Sequence, residues 1–313
     1  MVGDVILDRY RIVARLAAGA MGQVYRGERI GLRRAVAIKF LHPSAAADPA
    51  VRARFEGEAR AASRMHHPNV VGVIDCGSHR GAPFVVLELV EGKTLRELLD
   101  AGPLSVARAL RIVQAILAGL AHAHGHGVIH RDLKPENILV WSDELGEHVR
   151  ITDFGLAKRL DAVGVSQDLA IGTPSYMSPE QTLGLPVDAR ADVYAVGVLL
   201  FELLAAKTPF RGITTFETLR LHREAPIPSV ADLSPDISPE LDGVVRRALA
   251  KVPASRYAGA AELATAIDDA MHAARERADE LPVEDLLEAA RAHRRWGYLA
   301  FAAACAAVLY EAL

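Results

Sequence analysis

His130-Arg131-Asp132-Leu133-Lys134-Pro135-Glu136-Asn137, followed by Asp153-Phe154-Gly155, decides how this chain is read. The two strings place two carboxylates, an amide, a lysine and an arginine in the order that phosphoryl transfer from a nucleoside triphosphate requires. One acid can orient a hydroxyl nucleophile, while the other holds a divalent cation against the phosphates. A lone His-Arg-Asp tripeptide would carry little weight. With both strings intact and in order, in a chain of 313 residues, a merely charged surface loop is a poor alternative.

The rest of the composition is compatible with that chemistry. A chain of this length can bury a large core, and 51% of it is hydrophobic, with only 5% aromatic. Net charge is −3 with both signs interspersed, which argues against a nucleic-acid partner. Cys76 and Cys305 are far apart and form no ligand or redox motif, as fits a reducing cytosol. The N-terminus has neither a basic nor an apolar leader region, so no secretory signal is expected.

Upstream of the opening strings, short β-rich runs over 10–16, 22–28 and 34–40 are separated by glycine-bearing turns and predict an antiparallel meander. Asp48-Pro49 reads as a helix start, with the helix over 50–65, and strands are expected over 70–76 and 83–89. After Gly92 the texture becomes helical. Thr94 and Glu97 form a capping box, Ser105 opens a helix reaching about 124, and helices follow over 189–206, 216–222, 239–249 and 258–275. The expectation is an α+β, bilobal architecture: a small β-rich N-lobe with one main helix over 1–90, and a larger helical C-lobe over 91–275. Ligands favour such inter-lobe clefts, so the nucleotide is placed near 90–93.

Four segments then acquire chemical tasks. The turn containing Leu16, Ala17, Gly19, Gly22 and Val24 offers small residues that let backbone N–H groups approach phosphates, although Ala17 replaces the first glycine of G-x-G-x-x-G. Lys39, in Val36-Ala37-Ile38-Lys39, can neutralise the α- and β-phosphates and needs a carboxylate to hold it. Glu58 is favoured over Glu56, because Phe55, Ala59 and Ala62 flank it on the packed side. In the opening strings, Asp132 would orient the hydroxyl, Lys134 would stabilise the transferring group, and Asn137 and Asp153 would bind Mg2+, with Mn2+ as an alternative. In the fourth segment, 172–180, buried Glu180 needs a cationic partner, and Arg256 is the long-range candidate.

On these residues the chain resembles the eukaryotic-like (Hanks-type) Ser/Thr protein kinases, in their bacterial receptor-like branch. The resemblance covers most of the chain and extends to His67-Pro68-Asn69 and to Asp192-Val193-Tyr194. It implies the protein-kinase fold, ATP as phosphoryl donor and proteins as substrates. It further implies that Asp192 braces the catalytic loop, that backbone groups of Glu88 and Val90 bind adenine, that Leu87 is the gatekeeper, and that Ala37 and Leu139 sandwich the ring. Thr173 would lie against the catalytic aspartate and lysine.

Arg131, beside Asp132, suits a phosphorylated partner, and Ser166 is the candidate acceptor, with homodimers serving trans-autophosphorylation. Blander readings attach to other residues. His122, His124 and His126 are expected at an ordinary helix end instead of around a metal, and His130 as a packed scaffold residue. Beyond 275, residues 276–295 form a charged linker and 296–313 an apolar alanine-rich run, a candidate membrane anchor that would leave the catalytic domain cytoplasmic. Two other functions fit parts of the pattern: a pseudokinase scaffold, because of Ala17, and a small-molecule phosphotransferase of the same fold.

Overall fold

The computed structural model describes residues 1–19, 22–154, 174–233 and 237–280. Its first layer is a six-stranded antiparallel sheet of order β1-β2-β3-β4-β6-β5, from strands β1 (Val5–Ile6), β2 (Tyr10–Gly19), β3 (Gly22–Arg29), β4 (Arg34–Leu41), β5 (Val73–His79) and β6 (Ala82–Glu88). Side chains alternate across each strand, so β4 serves two cores at once. Val36, Ile38 and Phe40 pack with Tyr10, Ile12, Tyr25 and Phe84. Ala37 and Leu41 lie on the opposite face with Val85, Leu87, Phe55 and Ala59. Lys39 shares that second face, and it is 9% exposed.

Phe55 and Ala59 come from α2 (Pro49–Ala62), which follows the short α1 (Pro43–Ala46). Asp48 caps α2 by accepting from Ala50 N at 2.8 Å, as its Asp-Pro start predicts. The helix ends three residues before its expected stop, with Ser63 as C-cap. The expected strand over 70–76 is also displaced. Val70 instead makes a parallel bridge to Ile151 in the other lobe, and β5 begins at Val73.

The C-lobe begins with β7 (Lys93–Thr94) and α3 (Leu95–Asp100), the latter opened by the Thr94–Glu97 capping box. Helix α4 (Val106–Gly125) is long and apolar enough to cross a membrane, but here it is a core helix, with Ile112, Val113, Ile116, Leu117 and Leu120 fully buried. Two strands that periodicity did not announce, β8 (Ile138–Asp143) and β9 (Gly146–Ile151), form a small sheet of order β7-β8-β9. Helices α5 (Pro179–Thr182), α6 (Arg190–Ala205), α7 (Thr215–Glu224), α8 (Pro239–Ala248) and α9 (Ala260–Glu280) complete the lobe. All residues of α6 from Ala191 to Leu203 are buried, so its apolar residues cover every side of the helix and make it the lobe's central post.

Candidate active site

The catalytic loop is held from below by one carboxylate. Asp192, 1% exposed on α6, accepts from His130 N and from Arg131 N, each at 2.8 Å. His124 Nε2 stands 2.8 Å from the same carboxylate, a partner that the sequence reading passed over as part of a helix end. The post is needed because Arg131 adopts φ +64°, a left-handed conformation that costs a non-glycine residue about 1–2 kcal/mol. Gln181 Nε2 adds a bond to Arg131 O at 2.8 Å. His130 is 1% exposed, with its ring edge-on to Phe154 and Nε2 2.9 Å from Thr152 O. It is scaffold, as expected.

On this frame the candidate reactive groups are held. Lys134 Nζ lies 3.0 Å from Asp132 Oδ2. Asn137 Nδ2 donates to Asp132 O at 2.8 Å, which leaves its amide oxygen as an acceptor for a cation. Asp153 also adopts a left-handed backbone, φ +64°, and its Oδ1 is 2.8 Å from Lys39 Nζ. Lys39 on β4 and Asp153 at the end of β9 therefore meet across the cleft, although 114 positions separate them in the sequence. Aspartate and asparagine oxygens are the donor set that magnesium prefers.

One expected partnership does not form. Lys39 pairs with Asp153 and not with Glu58. Glu58 lies on the wall of a cavity of about 120 Å³, together with Ala61, Gly127, Val128, Ile129, Arg131 and Phe154. Burial pushes its carboxyl up to about 7, and the positive charges of Arg131 and Arg54 only partly offset this. The physical reason is placement: α2 holds Glu58 over Arg131, whose positive charge acts on it, and leaves Asp153 as the carboxylate on Lys39. Glu56, the rejected competitor, is not paired with Lys39 either.

The residues expected around adenine gather in one cluster. Leu87 is buried in it, and Ala37, Val90 and Leu139 pack against it. Strand register sets Ala37 opposite Leu87 and Lys39 opposite Val85, so the lysine and the hinge share one sheet. In the β2–β3 turn, Gly19 pairs with Gly22 and Ala17 with Val24. A Cβ on Gly22 would sit 1.9 Å from Phe40 O, whereas nothing lies within 4 Å of one on Gly19. Leu16 is half exposed at the mouth of this turn.

Glu180 finds its predicted partner. Arg256 forks onto both its oxygens at 2.7 and 2.8 Å, and also donates to the Ala250, Lys251 and Arg190 carbonyls. Burial pushes the Glu180 carboxyl up, but the hydrogen bonds and charge of Arg256, joined by a backbone hydrogen bond and one from Ser178, together outweigh it, and the net shift is downward. A second network was not foreseen. Arg96 on α3 donates to Glu136, Glu202 and the Tyr176 hydroxyl, which itself bonds to Glu202. His67 stacks on His122 with centroids 5.0 Å apart, His126 lies tilted against His122 at 4.4 Å, and among the described residues no group is arranged to hold a metal through histidine, cysteine and carboxylates. Ser166, Thr173 and the 296–313 run lie outside the described residues.

A profile of the protein kinase domain matches residues 10–268. This chain belongs to the protein kinase family. The kinase domain is 39% identical over 267 residues to the probable serine/threonine-protein kinase PknB of Lactococcus lactis, covering 84% of this chain and 42% of that protein. Over 291 residues it is 40% identical to the serine/threonine-protein kinase pkn3 of Myxococcus xanthus, covering 90% and 53%. These curated relatives are therefore about twice as long as the part they share with this chain. Among solved structures, the PknI kinase domain of Mycobacterium tuberculosis superposes with a TM-score of 0.71 at 31% identity, covering 86% of this chain and 99% of that one. The bilobal kinase fold expected from the sequence is thus the observed one.

Proposed function

We propose that this chain is an ATP-dependent serine/threonine protein kinase that transfers the γ-phosphate to protein hydroxyls and autophosphorylates its activation segment. The observation that carries this reading is the meeting of Lys39 with Asp153 at 2.8 Å, beside an Asp132–Lys134–Asn137 group that is itself tied together. Asp132 accepts a hydrogen bond from the attacking hydroxyl and orients its lone pair toward phosphorus. Lys134, already on the Asp132 carboxylate, is placed to follow the negative charge of the transferring group. Lys39 neutralises the α- and β-phosphates, and the backbone of Glu88 and Val90 receives adenine between Ala37 and Leu139. Asn137 and Asp153 would hold Mg2+, or Mn2+, which would supply positive charge against the phosphates.

Protein substrates are favoured over small molecules by the relatives' names and by the fixed frame around 174–182. Tyr176 and Glu180, within that frame, are both anchored to the C-lobe core, by Glu202 and by Arg256. Such a frame suits docking of an extended polypeptide. In trans-autophosphorylation within a homodimer, one chain would transfer phosphate to Ser166 of the other, and the phosphoserine formed would suit Arg131, with Thr173 as the second proposed regulatory residue. ATP dependence assigns the catalytic domain to the cytoplasm, with 296–313 as its proposed membrane anchor.

The test uses labelled ATP with the full chain and a generic protein substrate. Wild type should label itself and the substrate, and Asp132→Asn should label neither. A wild type that transfers nothing would be a scaffold, and one that consumes ATP on a small acceptor while leaving proteins unlabelled would be a different phosphotransferase.

A further inference from the structure

Arg150, on the strand that delivers Asp153, is a cation for which the proposed chemistry has no use. Its guanidinium joins three segments. Nη1 donates to Glu88 Oε2 at 2.6 Å and Nε to the Pro68 carbonyl at 3.0 Å, while Cζ lies 5.4 Å from the ring centre of Trp141 on β8. Glu88 ends β6 and opens the hinge. Its carboxylate also accepts from Gly72 N at 3.3 Å and lies 3.6 Å from Arg34 on β4. A Cβ on Gly72 would come within 3.1 Å of the Glu88 carboxyl carbon, so a side chain at that position would push the carboxyl away.

The 68–72 connection is itself laced to β9. Val71 N donates to Ile151 O, Ile151 N to Asn69 O, and Asn69 Nδ2 to Val149 O, all at 2.9 Å. The backbone bond from Glu88 N to Gly72 O, and the β5–β6 ladder that starts at Val73 opposite Leu87, continue this lacing to the hinge strand. Arg150 bypasses that chain of contacts and grips the hinge residue directly.

We propose that Arg150 is a positioning residue for ATP. By holding the Glu88 carboxylate it registers the adenine-binding backbone of 88–90 against β9, which carries Asp153 to the phosphate end of the cleft. Both ends of the nucleotide are then referred to one strand. The bond is charge-assisted and partly screened from water, with side-chain exposures of 27% for Arg150 and 30% for Glu88. Arg34, at 65%, is a poor substitute. The inference rests on the nucleotide reading of the hinge given above.

The experiment compares wild type, Arg150→Ala and Arg150→Lys as full chains. It measures KM for ATP, KM for the protein substrate, kcat, and the Kd of Mg-ADP by calorimetry. Arg150→Ala should raise KM for ATP and Kd for ADP together, by about five- to tenfold, with kcat and the substrate KM within about twofold. Arg150→Lys should recover only part of the loss, because an ammonium lacks the fork that serves Glu88 and Pro68 together. Should the alanine variant fail to fold, the lysine variant carries the test with an expected rise of about threefold in both nucleotide constants. Unchanged nucleotide affinity in a folded variant overturns the proposal, and so does a raised kcat at unchanged affinity, which would make the contact a restraint on turnover. A wild type that binds no ADP would instead overturn the nucleotide reading of the hinge, on which this inference stands.

Discussion

Lys39 Nζ lies 2.8 Å from Asp153 Oδ1, while Glu58, the acid expected to hold that lysine, faces the Arg131 cavity. The proposed phosphate-binding cation and the proposed metal-binding acid are thus paired with each other, and Glu58 on α2 is paired with neither. On the proposed function, catalysis would require Glu58 to exchange the neighbourhood of Arg131 for that of Lys39. Arg131 is also the residue suited to a phosphorylated partner, so a phosphate arriving there would compete with Glu58 and favour the exchange.

This arrangement predicts a pH dependence whose sign is fixed. Glu58 titrates near 7 when folded, against 4.5 for an ordinary glutamate, because burial penalises its charged form. Its contribution to stability is fully present below about 4.5 and is lost as pH rises through about 7. Glutamine mimics the protonated acid. Wild type and Glu58→Gln should therefore melt together at about pH 4, and the variant should melt higher at pH 8. A variant that melts lower at pH 8 would mean that the ionised carboxylate is already paired, most simply with Lys39.

Removal of Lys39 should leave the fold and abolish the chemistry. Lys39→Met keeps the aliphatic length that packs on the Leu41 and Ala37 face of β4, so melting should change little. Phosphoryl transfer should fall by at least about 10²–10³-fold, the usual cost of losing one preorganised charge donor at a reacting phosphate. Labelled-ATP turnover with a matched thermal melt separates the two effects.

Much of this was legible in the sequence, and the gaps have physical causes. The lobes, the α2 cap at Asp48 and the Glu180–Arg256 pair follow from capping chemistry and from the cost of burying an unpaired charge. Strands β8 and β9 did not announce themselves, because a short hairpin inside a charged segment carries no long periodicity. The stop of α2 at Ala62 and the late start of β5 are boundary effects: the 68–72 connection takes its hydrogen bonds from β9, in the other lobe, which no local pattern can encode. The sequence pairs Lys39 with Glu58 because motifs record residues that meet in one state. They do not say which state is at rest.

The Glu180–Arg256 pair should be costly to break. Both side chains are buried, at 7% and 0% exposure, and the guanidinium satisfies three carbonyls besides the carboxylate. Arg256→Met strands a buried carboxylate and should destabilise the fold by about 3–5 kcal/mol, read by denaturant melts. The linkage has the opposite sign to that of Glu58. Glu180's lowered value means its stabilisation is present above 4.5 and disappears as pH falls through the folded value. The acid limb of the wild-type stability curve should therefore flatten in the variant. An equally steep acid limb would show that other carboxylates govern it.

The two glycines of the β2–β3 turn should behave differently, which separates folding from nucleotide binding. At Gly22 an added Cβ would stand 1.9 Å from Phe40 O, on the neighbouring strand that carries Lys39, and a backbone atom cannot yield as a side-chain tip does. Gly22→Ala must therefore push β3 from β4, at a cost of at least about 1–3 kcal/mol, and drag Lys39 from Asp153. At Gly19 the space is empty, so Gly19→Ala should melt like wild type. Any loss of activity there belongs to the approach of the phosphates, as it would for Ala17, whose methyl already occupies the first glycine position of the loop. Ala17→Gly should then leave the melting temperature within a degree or two and lower KM for ATP, about twofold or less for one methyl group. A drop in stability at Gly19→Ala equal to that at Gly22→Ala would show that the turn is packed in solution, and that its glycines serve the sheet before they serve any phosphate.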